Sequence, residues 1–314
     1  MKTNILKTAL LGLTLGAVLL SSCKKDEDKT TPIPTTPAAK SIYEIAKADT
    51  TFTILVAAID KAGLKETLTN AGTYTVFAPN NAAFRKEGLS VELINSITDP
   101  EFILELKNAL LYHVLGAKVK STEVPNAYVS TLFVVNGNGV SLRTANNPVK
   151  LNNEANVVAA DIEASNGIIH VIDVPLSPQT VVDIALNNPA FTSLVGALTK
   201  AELVSTLEEA PALTVFAPTN EAFNAINFKL EDFTKEQLTP ILTSHVLGTQ
   251  VRSSQIKNGD KVTTLNANTE LTFNTTSGVK FNGGNVTDVT VTTADIQATN
   301  GVVHVINKVV LPKL

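Results

Sequence analysis

The chain contains itself twice. Residues 74–84 (YTVFAPNNAAF) return 139 positions later as residues 213–223 (LTVFAPTNEAF). Two more blocks follow in the same order: residues 112–116 (YHVLG) match 244–248 (SHVLG), and 160–172 (ADIEASNGIIHVI) match 294–306 (ADIQATNGVVHVI). Three landmarks in one order define a duplicated unit of about 135 residues, the size of an ordinary domain. Each copy must therefore close its own core. An apolar content of 44% supplies one in pieces of this size.

Within each copy the pattern shifts from helix to strand. Ile42, Ile45 and Ala46, then Phe52, Leu55, Val56 and Ile59, fall at i, i+3, i+4 spacing, as do Val182, Ala185, Phe191, Leu194, Val195 and Leu198 in the second copy. Residues 74–77 and 213–216 read as short buried strands stopped by Ala-Pro, with Asn80 and Thr219 placed to cap the next helix. The second half of each copy is β-rich, with turn signals at residues 136–137, 277–278 and 282–284 and apolar alternation along 262–273. Residues 168–172 and 302–306 are apolar on both faces and should lie centrally in a sheet. Residues 88–100 are extra in the first copy, a candidate for partner specificity or for neutral drift in an exposed connection.

The three blocks resemble those characteristic of the fasciclin domain family, over nearly all of residues 41–312. The resemblance implies an α+β fold, with two tandem fasciclin-like domains at 41–176 and 177–314. Each would be a β-strand wedge or sandwich packed with several α-helices. It also implies an extracellular, secreted or membrane-anchored setting and a role in cell adhesion. Phe77, Pro79, Asn80, Asn166, Gly167 and His170, with Phe216, Pro218, Thr219, Asn300, Gly301 and His304 in the second copy, are the positions expected to hold the fold. Tyr112 and His113 resemble the tyrosine-histidine motif proposed to contribute to integrin recognition in animal members. They are carried as candidate partner-binding residues together with His245, although Ser244 stands where the tyrosine would be in the second copy. The structural reading of both histidines stands beside that one.

All four histidines occupy repeat-equivalent positions. Each copy holds only two, 57 or 59 residues apart, without HxH or HExxH spacing, so no metal site and no cofactor are expected. His170 and His304 alternate with apolar residues, which places each ring on an apolar strand face. There it needs hydrogen-bond partners, because an unpaired one costs about 1–3 kcal/mol. No Gly-x-Ser-x-Gly elbow and no phosphate-binding glycine loop is present, and no catalytic residues are nominated.

The first 22 residues read as a signal peptide: Lys2 and Lys7 precede a short apolar run. Cys23 is the only cysteine, and it closes a Leu-Ser-Ser-Cys sequence that resembles a bacterial lipobox. Cys23 is thus the expected lipidation site, and no intrachain disulfide can form. Residues 24–29 (KKDEDK) resemble the acidic signal that sends lipoproteins of Bacteroidetes-type bacteria to the cell surface. Residues 30–37 carry three prolines, so 23–40 reads as a semi-rigid tether able to span roughly 50 Å. The expected location is the outer membrane, lipid-anchored and facing outward, with the periplasmic face as the alternative.

Formal charge is −4, and −6 without Lys2 and Lys7, which does not suit nucleic acid. The expected function is a non-enzymatic surface lipoprotein for adhesion or extracellular interaction. Its partner would be a protein or polysaccharide at the cell surface or matrix, and its contact with the membrane would run through the lipid anchor alone. The alternative is a glycan- or nutrient-capturing accessory lipoprotein of an uptake system.

Overall fold

Both repeats start with a reciprocal helix cap. The Ser41 hydroxyl accepts from the N–H of Glu44 while the Glu44 carboxylate accepts from the N–H of Ser41, and Thr180 and Asp183 repeat the exchange. A computed structural model describes residues 39–312. The expected signal peptide, Cys23 and most of the tether lie outside the described residues.

In the first repeat, helices α1 (Ile42–Ala48), α2 (Thr53–Lys61) and α3 (Lys65–Thr69) lead into strand β1 (Tyr74–Pro79). Helices α4 (Asn81–Lys86), α5 (Val91–Ser96) and α6 (Pro100–Tyr112) follow. The chain then runs through strands β2 (Val114–Leu115), β3 (Ala127–Val135), β4 (Asn138–Ala145), β5 (Lys150–Leu151), β6 (Ala155–Ala164) and β7 (Gly167–Ile172). The second repeat has α7 (Val181–Leu186), α8 (Thr192–Lys200), α9 (Val204–Glu209), β8 (Leu213–Pro218), α10 (Asn220–Asn224) and α11 (Lys235–Thr243). Its strands are β9 (Val246–Leu247), β10 (Lys261–Thr263), β11 (Glu270–Asn274), β12 (Lys280–Gly283), β13 (Val286–Gln297) and β14 (Gly301–Ile306).

Each repeat forms one seven-stranded sheet, ordered β2-β1-β7-β6-β5-β4-β3 in the first and, in reverse notation, β10-β11-β12-β13-β14-β8-β9 in the second. Among these strands, β1 with β7 and β8 with β14 pair in parallel and the other pairings are antiparallel. Bulges in β6 and β13 bend these long strands, so one end of each pairs with β7 or β14 and the other with the outer hairpins. The bend gives each repeat two apolar clusters. In the first, Ile169 and Val171 face the helices, while Ile172 faces an inner cluster with Phe77, Leu142 and Leu151. In the second, Val303 and Val305 face helices and Ile306 joins Phe216, Leu271 and Phe281. The terminal strand of each repeat is buried along its whole length, as its two apolar faces predict.

Three details differ from expectation. Strands β1 and β8 continue through Pro79 and Pro218 rather than stopping before Ala-Pro. The reason is parity: Phe77 donates toward the β2 side, to His113 O, and Asn80 toward Ile172 on β7, so the missing N–H of Pro79 faces the side where β2 has already ended. The apolar alternation along 262–273 is split between β10 and β11, joined by a loop in which Thr264 and Thr269 bond to each other's backbone and to Asn266. The additional residues of the first repeat form α5, capped by Ser90, and Ile94 is buried in the helix-side core. That segment is a structural element as well as a surface one.

Candidate functional site

The histidines following α6 and α11 are internal latches. His113 Nδ1 lies 2.7 Å from Ala109 O, and its Nε2 accepts from the N–H of Leu176 at 2.8 Å. His245 repeats both contacts, with Ile241 O at 2.8 Å and the N–H of Val310 at 2.8 Å. An N–H aimed at Nε2 requires a lone pair there, so each ring is neutral with its proton on Nδ1. Burial pushes both imidazoles down to about 4, against a small upward pull from the carbonyl. Each ring thus ties a helix end to the chain leaving the final strand.

His170 and His304 carry the opposite tautomer. Nε2 of each faces a carbonyl, Val119 O or Val251 O, at 2.9 Å, while Nδ1 accepts from the N–H of Asp161 or Asp295 at 3.2 Å. The rings stack on Phe77 and Phe216, with centroids 5.7 and 5.4 Å apart. Burial holds His304 below the ordinary histidine range. Asp161 and Asp295 sit in the bulges with φ of 61° and 62°, a left-handed conformation that Asp tolerates better than most residues. Their carboxylates accept from the N–H and hydroxyl of Ser121 and Ser253. These bonds hold both carboxyls below their usual range, against the burial that opposes ionisation at Asp295.

Asn166 and Asn300 each tie three segments together. Asn166 Oδ1 accepts from the N–H of Ile42, and its Nδ2 donates to Leu68 O and Asn70 O; Asn300 does the same for Val181, Leu207 and Ala210. The following glycine is required by proximity: a Cβ on Gly167 would lie 2.1 Å from Tyr74 O, and on Gly301 2.4 Å from Leu213 O. Asn80 and Thr219 cap α4 and α10 through the N–H of Ala83 and Ala222.

The partner-binding assignment of Tyr112, His113 and His245 is corrected by their position. All three are buried, at 0%, 4% and 2% exposure, and present no surface to a partner. The Tyr112 hydroxyl donates to Ser141 O and accepts from Asn152 Nδ2, both at 3.0 Å, and burial raises its pKa. Ser244 fills the equivalent place with bonds to Pro240 O, Thr269 Oγ1 and Asn266 Nδ2. Among the described residues, no group of three or more His, Cys, Asp or Glu is arranged to hold a metal ion.

The junction of the repeats, which belong to one compact body, also opens to solvent. The β3–β4 hairpin turns Val129, Val140 and Leu142 inward and Tyr128, Ser130, Ser141 and Arg143 toward the second repeat. Ser141 Oγ accepts from the N–H of Gln297 at 2.9 Å, the Tyr128 hydroxyl accepts from Asn188 at 3.0 Å, and Asn136 donates to Gln250 at 2.8 Å. Tyr128 also packs on the second repeat's core. Beside these contacts opens a polar cleft of about 390 Å³. Sequence reasoning did not find it, because the outward residues of the hairpin read as an ordinary solvated strand face.

The sequence model of the Fasciclin domain matches residues 50–178 and 189–312. Protein sll1483 of Synechocystis sp. is 35% identical over 174 residues, covering 54% of this chain and 93% of that protein. The transforming growth factor-beta-induced protein ig-h3 of Sus scrofa is 29% identical over 256 residues, 79% of this chain, which spans only 36% of that longer protein. A solved FAS1 domain pair from the insect cell adhesion molecule Fasciclin I aligns with a TM-score of 0.47 at 17% identity, covering 81% of this chain and 92% of that one.

Proposed function

Because the chain belongs to the fasciclin domain family, with two copies in tandem, we propose that it is a non-enzymatic module for adhesion or extracellular interaction, held at the outer face of an outer membrane through a lipid on Cys23. The observation that carries this reading is the fate of the repeated polar residues. Both nitrogens of all four histidines are engaged inside the fold, and Asp161, Asp295, Asn166 and Asn300 bind backbone. The shared chemistry of the two copies is consumed in building them, which leaves surface recognition as the task. Two linked domains suit that task, since a second weak contact on one tether gains effective concentration.

The anchor at Cys23 and the charged, proline-bearing tether are read from sequence, and no helix among the described residues is long and apolar enough to cross a membrane. The test is attachment of cells carrying or lacking the protein to matrix- and polysaccharide-coated surfaces, with protease shaving of intact cells as the control for display. Loss of attachment on deletion, with the protein cleaved from intact cells, is the expected result. Unchanged attachment would overturn the reading. Capture for uptake, the alternative role, predicts a growth defect on a soluble glycan instead.

A further inference from the structure

The duplication offers a comparison: a side chain present at equivalent positions in both repeats is explained by the fold they share, whereas one present in a single repeat needs its own account. Arg143 is of the second kind. It lies opposite Tyr128 across the β3–β4 hairpin, as Thr272 lies opposite Lys261 in β10–β11. The register is anchored by Leu142 and Leu271, both fully buried, and by Thr144 and Phe273, which pair with the equivalent residues Leu151 and Phe281. The fold therefore accepts threonine where the first repeat has arginine.

Arg143 is also distinct among the three arginines of the chain. Arg252 donates to Gln297 Oε1 at 3.0 Å and lies beside Asp295, and Arg85 is exposed. Arg143 is half-buried in the cleft wall, and among the described residues its guanidinium has no hydrogen-bond or ion-pair partner. A planar fork of five donors held in a recess and left unmatched suits a carboxylate, which it can grip bidentately.

The remaining wall points to the rest of the ligand. The Ser130 and Thr293 hydroxyls and the Asn126 amide nitrogen, on exposed residues, have no partner among the described residues, and the Asp295 carboxylate, already bonded by Ser253, adds one negative charge to the wall. Mixed donors and acceptors around a single cation match a polyhydroxyl body bearing one negative charge. A dianionic phosphate would meet one guanidinium and one carboxylate, a poorer balance. The volume, about 390 Å³, falls in the range of small-ligand sites.

We propose that the cleft between the repeats is a binding site for a carboxylate-bearing saccharide, a uronate residue of an acidic polysaccharide, with Arg143 as its anion contact. This deepens the adhesion reading and rests on it only in taking the partner to be extracellular. The experiment is calorimetric titration of the intact chain with trigalacturonate, with its uncharged methyl ester and with sodium sulfate. Trigalacturonate is expected to bind at one site per chain, the ester not at all. Arg143→Thr, the residue of the other repeat, should weaken binding at least about tenfold without moving the thermal midpoint. Absence of trigalacturonate binding, binding unchanged in Arg143→Thr, or sulfate binding as tightly as trigalacturonate would each overturn the site. If the site fails while cells still attach through the protein, the adhesion reading survives; if trigalacturonate binds while deletion leaves attachment unchanged, the site survives without it.

Discussion

Replacing Asn166 by Ala should be among the most damaging single changes in the first repeat. The side chain is 3% exposed and serves the N–H of Ile42, at 2.9 Å, and the carbonyls of Leu68 and Asn70, both at 3.0 Å. The Ile42 and Leu68 bonds are fully buried, and Ala leaves both backbone groups unmatched. At about 1–3 kcal/mol for each, the loss is about 2–6 kcal/mol, a large part of the roughly 5–15 kcal/mol that holds a domain. Urea unfolding followed by circular dichroism should show this drop with an unchanged denaturant slope. Asn166→Asp separates a three-way tie from a simple helix cap. A carboxylate keeps the acceptor for Ile42 but turns oxygen toward two carbonyls, so it should be at least as harmful as Ala, whereas a cap would tolerate it. A loss under about 1 kcal/mol for Ala, or a neutral Asp variant, refutes the reasoning. Asn300→Ala should cost less, because that side chain is only half-buried.

The folded protein takes up protons on His113 and His245 only near pH 4, whereas the unfolded chain does so near the ordinary 6.5, so stability is complete above about pH 6.5 and falls as pH drops toward 4. Each ring accounts for about 3 kcal/mol over that window, and unfolding measured at pH 7.5 and 4.5 should show it; a flat profile would contradict the burial argument. Nitrogen-15 NMR should find the proton on Nδ1 in His113 and His245 and on Nε2 in His170 and His304, and a single tautomer for all four would be incompatible with their partners. Ser141→Ala should loosen the junction, because Ser141 Oγ accepts from the buried backbone N–H of Gln297 at 2.9 Å and Ala leaves that N–H unmatched. Small-angle scattering should register a larger radius of gyration, and an unchanged profile with unchanged stability would show that the contact does not hold the repeats together.

Much of this architecture is local and so legible in sequence. The alternation of His170 with Ile168 and Ile172 selects its strand face, and Asn80 and Thr219 stand where a strand hands over to a helix. The bulges at Asp161 and Asp295 were not found, because an inserted residue is a property of strand pairing rather than of propensity. Their signal was nevertheless present, since the Asp is identical in both copies and so are Thr75 and Thr214, whose hydroxyls bond Ala117 O and Thr249 O. Tyr112 misled for a different reason. Its likeness to the tyrosine-histidine motif says nothing of burial, and only the carbonyl of Ser141, 29 positions away, decides for the core. The cleft depends on two domains meeting, which no pattern within either one encodes.

The differences between the copies say more about the junction than their identities do. In the first repeat Glu163 pairs with Lys118 and Lys120 on an exposed face. In the second the equivalent positions are Gln297, Gln250 and Arg252, and that face meets the β3–β4 hairpin. On the hairpin itself Ser141 stands where the second repeat has Glu270, which is exposed and paired with Lys261. Both contact surfaces thus have a neutral residue at these positions where they meet, and the equivalent positions in the other copy carry a carboxylate where they face water. Burying a carboxylate without a matched partner costs several kcal/mol, so two neutral substitutions on opposite sides of one contact are what a stable docking of the repeats requires. Arg143 stands on the same hairpin, facing the same neighbour, and is the charge that this contact leaves unmatched. A surface otherwise cleared of uncompensated charge has kept one guanidinium in a recess, and a negatively charged ligand is the partner that would account for it.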